Sequence, residues 1–299
     1  MPMYDENSHS MHLRPPPRPR VFVVAQPGRE QHRKVGNNPA ISVENARGTT
    51  FVDVFGRVRA GVDAADKETR LTAWVTWEAC ATATLAPRLP GKPRGPTRIA
   101  RPHKPASPLN QQHQVTDPML FDGPFVYNLT RQDRYERLRD LMPGDLVLFG
   151  ARSHAGFLLD TVFVVGKQYS YNEGRLLEKP DSTAMRVSVD PIFPRPDGTV
   201  ITADSQRVES LSWYTGATPE ATAEGMFSFT PALAHDGIPR AFSRLVIPEC
   251  EGITNTLPVQ YVHETPYDVW SALAQRTCAA GLGLATALHT WPRPAPTVA

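Results

Sequence analysis

The sequence predicts an α+β fold, with an antiparallel or mixed sheet and a few packed helices. Short apolar runs rich in β-branched residues recur along the chain, and some of them alternate with polar residues as strands do. Two such runs near residues 146–165 are joined by a short segment that contains glycine, which is typical of a β-hairpin. Capping residues followed by apolar residues at helical spacing indicate only a few helices.

Length and proline content predict one folded domain with two tails. The chain has 299 residues, enough to bury a hydrophobic core, and its 30 prolines are about double the ordinary usage. Proline-rich stretches occupy residues 1–19, 86–108 and 291–299. We therefore expect a single α+β domain over residues 20–290, disordered tails at 1–19 and 291–299, and a basic, extended loop at 86–108.

Cysteine usage and hydropathy exclude several classes of protein. The three cysteines, Cys80, Cys250 and Cys278, have no zinc-ligand spacing, so neither a disulfide framework nor a metal site is predicted. No apolar run reaches the roughly 18 residues of a membrane span, and the N-terminus lacks the apolar core of a secretion signal. We expect a cytoplasmic protein with no membrane partner. The sequence identifies no cofactor and leaves the oligomeric state open.

Strands are predicted along most of the chain. In the first half they cover residues 20–26, 49–59 and 71–84, with Gly56 as a bulge and residues 27–48 as a loop. Shorter candidates in the second half are residues 185–189, 199–202, 226–229 and 245–247.

Three helix starts are predicted from capping residues. Thr130 with Asp133 indicates a helix over residues 130–141, and Thr218 with Pro219 indicates a short one. Thr265 followed by proline predicts a helix to about residue 280, with Gly281 ending it. The glycines at 281 and 283 resemble a dinucleotide fingerprint, but they follow a helix and lack the third glycine, so we interpret them as a helix end.

The hairpin is predicted from residues 145–150 and 157–165, joined by residues 151–156. Asp160 and Thr161 interrupt its second apolar run. A carboxylate flanked by apolar residues either is paired in the interior or lines a site, so Asp160 is a candidate general acid or base. Glu78, beside an aromatic residue, is a second candidate. The alternatives are that Glu78 faces solvent and that Asp160 is a hydrogen-bonded structural residue.

Charge is distributed unevenly between the two halves. Residues 1–150 carry 21 Lys and Arg against 15 Asp and Glu, whereas residues 151–299 carry 11 against 15. Residues 86–108 contain six basic residues and no acidic one. Such a stretch suits an anionic partner, although a solvated surface explains it equally well. The candidate phosphate-binding residues are Arg94, Arg98, Arg101, Lys104, Arg131 and Arg134.

The segments WVTWEAC, TDPMLFDGPFVYN, LMPGDLVLFG and FLLDTVFVV, in this order, resemble an uncharacterised bacterial and phage family associated with nucleotide modification. The phrase LMPGDLVLFG before an apolar strand is also similar to PUA-like barrels of the EVE and ASCH kind. In those barrels a Gly-Asp turn leads into a strand that lines a nucleobase pocket.

The resemblance covers residues 70–166 and implies a partly closed barrel. It further implies a set of ligand-binding residues in which aromatic rings stack a base and polar groups read its edge. The stacking candidates are Trp77, Phe149 and Phe157, and the polar candidates are Asn128 and Asp160. Two further ligand-binding candidates come from the hairpin itself and not from the resemblance: Arg152 in the predicted turn and Thr161 in the polar break.

Three hypotheses about function follow. The first is a nucleic-acid or nucleotide binding protein that recognises a modified or flipped base. The second is a nucleotide- or base-modifying enzyme that uses Glu78 or Asp160 as acid or base. The third is a protein-interaction module whose proline-rich loops are bound by other domains.

Overall fold

The computed structural model describes residues 19–29, 40–42, 48–77, 82–85, 99–102, 118–128, 132, 135–153, 156–169, 171–172, 175–176, 212–240, 242–247, 259–262 and 265–289. In this part of the chain β-strands predominate, with one α-helix and one 3-10 helix. The strands, numbered along the chain, are β1 (Val21–Arg29), β2 (Ala40–Ser42), β3 (Gly48–Arg59), β4 (Lys67–Trp77), β5 (Thr82–Leu85), β6 (Ile99–Pro102), β7 (Val126–Tyr127), β8 (Leu146–Ser153), β9 (Gly156–Tyr169), β10 (Tyr171–Asn172), β11 (Arg175–Leu176), β12 (Trp213–Gly216), β13 (Thr230–His235), β14 (Leu245–Ile247), β15 (Val259–Val262) and β16 (Gly283–His289).

The first sheet is mixed and has seven strands. Six follow the order β15–β1–β8–β9–β12–β7, and β14 also pairs with β9. Only β1 and β8 are parallel within it. Phe22 and Val24 belong to one hydrophobic cluster, whereas Val21 and Val23 belong to a second. These four residues belong to β1, so both faces of this strand are buried, which explains why it is an unbroken apolar run in the sequence.

The second sheet also has seven strands, and four of them close a ring. Strands β3, β4, β13 and β16 pair in this order, and β16 pairs back onto β3, which makes a small antiparallel barrel. Val54, Leu71 and Ala232 lie on one face of the ring and belong to the first cluster, together with side chains of the first sheet. The predicted mixed-sheet α+β class is therefore confirmed, with a barrel-like sheet and few helices.

The hairpin is confirmed, and its strands are longer than predicted. Strand β8 pairs with β9 from Leu146 opposite Val164 to Ser153 opposite Gly156, so most of the predicted linker is strand. The register shifts where Asp160 falls, since Phe149 pairs with Thr161 and Gly150 with Leu159. The predicted polar break is thus a β-bulge.

The bulge reverses the alternation of β9. Phe157 and Leu159 precede it, Val162 and Val164 follow it, and all four belong to the second cluster. Without the extra residue, one pair would point to the opposite face. Gly150 lies across from the bulge, where a Cβ atom would be only 2.0 Å from the carbonyl oxygen of Leu158.

The C-terminal helix, α1 (Pro266–Ala279), is confirmed. Thr265 is its N-cap and accepts a hydrogen bond from the backbone N–H of Asp268, and proline occupies the first turn. Trp270 and Leu273 pack into the second cluster. Gly281 follows the helix with φ +74°, a conformation that favours glycine.

The helix predicted over residues 130–141 is wrong. Among its described residues only Glu136–Leu138 is helical, as a single 3-10 turn, and Tyr135 before it is extended. The Leu141 N–H donates to the Tyr214 hydroxyl, far along the chain, instead of to a helical carbonyl, and the Arg139 side chain donates from Nε to the nearby carbonyl of Gln132. The predicted helix start at Thr218 is also wrong, because this residue forms a β-bridge with Ala221.

Several strand and loop boundaries differ from expectation. Residues 99–102, predicted as loop within 86–108, form β6 between β3 and β5, and residues 40–42 form β2. The described part of the strand predicted over residues 71–84 forms two strands, β4 and β5. Residues 226–229 contribute isolated bridges instead of a strand, whereas the strand Leu245–Ile247 is confirmed.

Gly56 is not a bulge residue in its pairing with β4, where it lies opposite Thr69 in regular register. The irregularity is in β16, between Ala285 and Ala287. A Cβ atom on Gly56 would lie 2.3 Å from the carbonyl oxygen of Ala287, so glycine permits this close approach. The strands predicted at 185–189 and 199–202, and the two tails apart from Pro19, lie outside the described residues.

Candidate functional site

Charged residues are buried on one face of the second sheet. Strand β4 directs Arg70, Thr72 and Trp74 to this face, because alternate residues of a strand point the same way. Asp53 pairs with Thr72 in the adjacent strand, and His235 pairs with Arg70. These five residues define the polar face.

Asp53 is the centre of the first ion-pair group, the Asp53 cluster, which consists of Asp53, Arg70 and His235. Its carboxylate is fully buried and lies 3.0 Å from Nη2 of Arg70 and 3.3 Å from Nε2 of His235. The side chain of Arg70 is 24% exposed, whereas that of His235 is 3% exposed. Arg70 is therefore the member of the cluster whose side chain is partly exposed to solvent.

His235 is held as a neutral imidazole. Burial lowers its pKa below the ordinary value; Asp53 opposes this effect and Arg70 adds to it. Its Nδ1 accepts a hydrogen bond of 3.2 Å from the N–H of Gly237, so the proton of the neutral ring is on Nε2, which faces Asp53. Nδ1 is thus hydrogen-bonded, and Nε2 faces the carboxylate of Asp53.

A second group, the Arg244 clamp, consists of Trp74, Asp160 and Arg244. The Nε of Arg244 lies 3.0 Å from Oδ1 of Asp160, with the two side chains 2% and 4% exposed. The guanidinium also stacks on Trp74, 4.3 Å from the ring centroid, and the indole Nε1–H donates to the carbonyl of Phe242. The clamp thus joins β4 of the second sheet to β9 of the first.

Local backbone geometry explains how the clamp forms. Strand β14 pairs with β9 so that Leu245 lies opposite Leu159. Arg244 precedes that pair and therefore lies next to the bulge residue Asp160. The neighbouring Thr161 reaches the second sheet as well, because its hydroxyl oxygen lies 3.1 Å from that of Thr230.

Both groups are suited to structural roles, because the Asp53 cluster links β3, β4 and β13 within the second sheet and the Arg244 clamp links the two sheets. Each carboxylate already faces a cation, and Nδ1 of His235, the ring nitrogen that carries the lone pair, already accepts a hydrogen bond. Removing one partner of a buried pair leaves an uncompensated charge, which is strongly destabilising. The geometry therefore favours a rigid scaffold over acid–base chemistry at these residues.

Two of the residues predicted from sequence, the consecutive Asp160 and Thr161, both contact groups outside their own strand, Asp160 facing Arg244 and Thr161 reaching Thr230. Asn128 is buried directly after β7. Phe149 lies in the first hydrophobic cluster, with its ring edge-on to Tyr127 at 5.0 Å, and Phe157 lies in the second. A base could reach either ring only if that cluster opened, and the two rings belong to different clusters.

The remaining predicted residues are not described in side-chain detail. Trp77 is the last residue of β4, Arg101 lies in β6, and Arg152 lies in β8 opposite Phe157. The other predicted residues, Glu78, Arg94, Arg98, Lys104, Arg131 and Arg134, lie outside the described residues. Their roles stay predictions.

Sequence reasoning missed Asp53, Arg70, His235 and Arg244. Asp53 had a detectable signal, a carboxylate inside the apolar run TTFVDVFGRVR, which is the same pattern that singled out Asp160. The cations had none, because an arginine or histidine next to polar residues looks like a surface residue. Only the strand pairing shows that they meet the carboxylates.

Within the described ranges, no group of three His, Cys, Asp or Glu side chains is arranged to hold a metal ion. No helix among these residues is long and apolar enough to cross a bilayer. The chain matches no family model, no curated protein and no solved structure with which it was compared.

Proposed function

We propose that this protein binds a nucleic acid or nucleotide through its basic stretch, residues 86–108, next to the polar face of the second sheet. The observation that supports this proposal is β6, a strand formed by residues 99–102 within that stretch. It pairs in parallel with β3 and antiparallel with β5. The basic stretch is therefore anchored at its centre to a folded sheet.

The register of this strand adds a second argument. Ile99 pairs with Phe51 and Ala100 with Val52. One residue further along both strands, the same register places the backbone of Arg101 beside that of Asp53. Arg98 directly precedes the strand and Lys104 follows it by two residues. Cations so closely spaced along the sequence around a paired strand suit the regularly spaced phosphates of a polynucleotide.

The finer part of the proposal is a PUA-like barrel that accepts a base. The described residues contain a barrel, the ring of β3, β4, β13 and β16, whereas the phrase LMPGDLVLFG leads into β8 of the first sheet. The resemblance of residues 70–166 to PUA-like and nucleotide-modification-associated proteins indicates the same class of ligand. Asn128 and Trp77 remain the candidates for reading and stacking a base.

We do not extend the proposal to catalysis. Asp160 is paired with Arg244, and His235 accepts a hydrogen bond at Nδ1 while its Nε2 faces Asp53. These contacts favour structural roles for Asp160 and His235.

Fluorescence anisotropy with labelled 20-nucleotide DNA and RNA, single- and double-stranded, tests the proposal. At low salt, where phosphate contacts are strongest, we expect saturable binding to at least one of the four probes. The triple variant Arg94→Gln, Arg98→Gln, Lys104→Gln should bind at least tenfold more weakly.

The matched control removes three exposed cations elsewhere, in the variant Arg137→Gln, Lys167→Gln, Arg240→Gln. It changes the net charge equally and should retain binding within about twofold to threefold of the unmodified protein, since screening limits distant surface charges. Undetectable binding of all four probes by the unmodified protein contradicts the proposal. Equal losses in the two triple variants contradict the assignment to residues 86–108.

A further inference from the structure

A short segment after β13 covers the polar face. This covering segment consists of residues 236–240 and 242–244, and it begins directly after His235. At one end of the face, Gly237 approaches Arg70, whose Nη1 would be 3.8 Å from a Cβ atom on that glycine. At the other end, Phe242 accepts the indole hydrogen bond of Trp74, and Arg244 stacks on the same ring.

One hydrogen bond at the start of the covering segment depends on the protonation state of His235. Nδ1 of the imidazole accepts the N–H of Gly237 at 3.2 Å. Gly237 has φ +121°, so its amide is directed back to the ring by a turn that favours glycine. A protonated imidazole has two N–H donors and no acceptor, so this bond exists only while the ring is neutral.

We propose that His235 is a pH-sensitive latch, which fastens the covering segment over the polar face when neutral and releases it when protonated. Release would begin at Gly237 and expose the Asp53–Arg70 pair beneath it. The proposal rests on the hydrogen bond and the location of the segment, and it is independent of whether the protein binds nucleic acid.

The charged groups around His235 set the direction of the effect. Asp53 on β3 faces Nε2 and favours protonation, whereas Arg70 on β4 opposes it. Burial is the largest influence and lowers the pKa of the imidazole. In the covering segment, the nearest charged side chain along the chain is that of the exposed Asp236. The latch is therefore closed at neutral pH, and the midpoint of its opening lies below the ordinary histidine pKa of about 6.5.

The test is a ¹H–¹⁵N NMR titration of the deuterated full-length protein from pH 7.5 to 4.5. Three signals are followed: the His235 imidazole, the Gly237 amide and the Trp74 indole, with the indole assigned by Trp74→Phe. All three should titrate together. Hydrogen exchange of the Gly237 amide, corrected for the intrinsic pH dependence, should accelerate about fivefold to tenfold as the bond is lost.

Two variants separate the latch from general acid effects. His235→Asn keeps an acceptor near the Nδ1 position without a titrating group, so its Gly237 amide should stay protected across the range. His235→Gln shifts the acceptor toward the Nε2 position and should leave that amide unprotected at every pH. His289→Asn, which removes a histidine elsewhere, should titrate like the unmodified protein.

The latch is refuted if the Gly237 amide of the unmodified protein does not follow the His235 titration. It is refuted equally if His235→Asn shows the same loss of protection on acidification. Should His235→Asn fail to fold, agreement or disagreement of the three apparent pKa values in the unmodified protein decides the question by itself.

Discussion

The Arg244 clamp makes a quantitative prediction about stability. Asp160→Asn removes the carboxylate charge and keeps nearly the same shape, so it leaves the guanidinium of Arg244 in a site where that side chain is only 2% exposed. Breaking a buried pair from one side costs about 3–5 kcal/mol, because the remaining charge has lost both water and its partner. A domain has only about 5–15 kcal/mol of total stability, so the loss should be large.

The assay is urea unfolding at 25 °C and pH 7, monitored by circular dichroism. Asp66→Asn is the matched control, since its ion pairs with Arg57 and Arg59 are 3.8 and 3.6 Å long and its side chain is 22% exposed. Partly exposed pairs contribute about 0–1 kcal/mol. Asp160→Asn should therefore unfold at a clearly lower urea concentration than Asp66→Asn.

A double-mutant cycle completes this test. Arg244→Met alone should also destabilise, because it leaves the carboxylate of Asp160 buried without its cation. The double variant should lose less than the sum of the two single losses, with a coupling of about 1–3 kcal/mol. A loss below about 1 kcal/mol for Asp160→Asn, or strict additivity, would refute the interpretation of Asp160 as one half of a buried ion pair.

Three further predictions concern the glycine at the bulge, the helix cap and pH. Gly150→Ala should lower the free energy of unfolding by about 1–3 kcal/mol, since its Cβ atom would lie 2.0 Å from the carbonyl oxygen of Leu158. Gly61→Ala is the control and should be tolerated, because a Cβ atom there would have no atom within 4 Å. Thermal unfolding compares the two variants. Thr265→Ala should lower stability by about 1 kcal/mol in urea, because the N-cap of α1 loses its side-chain acceptor, and no change would contradict the cap assignment. The pKa of His235 is lower in the folded protein, so the unfolded chain binds a proton at this residue more readily. The stability due to His235 is therefore complete above about pH 6.5 and declines as pH falls. His235→Asn should show a shallower loss of stability between pH 6.5 and 5, and a loss identical to that of the unmodified protein would contradict this prediction.

Local sequence signals predicted those elements whose stability is also local. The hairpin at 146–165 and α1 were both predicted, because a turn between two apolar runs and a Thr-Pro cap determine structure within a few residues. The helix over 130–141 was predicted on the same kind of signal and is wrong. There, bonds from Tyr214 and from the side chain of Gln132 to Ser212, far along the chain, outweigh the weak helical preference.

The candidate site could be predicted only in part for the same reason. Asp160 was detectable because a carboxylate in an apolar run is unusual anywhere. Its partner Arg244 lies 84 residues away along the chain and meets it through the pairing of β14 with β9. The ring closure likewise joins β16, the last described strand, to β3, the third. Such pairings depend on the whole fold and leave no short pattern in the sequence.

The salt dependence of oligonucleotide binding tests the proposed function at its physical basis. For a single-stranded probe the logarithm of the binding constant falls with the logarithm of salt concentration by about 0.7 for each phosphate neutralised. Replacing Arg94, Arg98 and Lys104 by glutamine should make this slope shallower by about 2, whereas replacing Arg137, Lys167 and Arg240 should leave it nearly unchanged. Equal slopes for the unmodified protein and the first variant would contradict phosphate binding by the basic stretch.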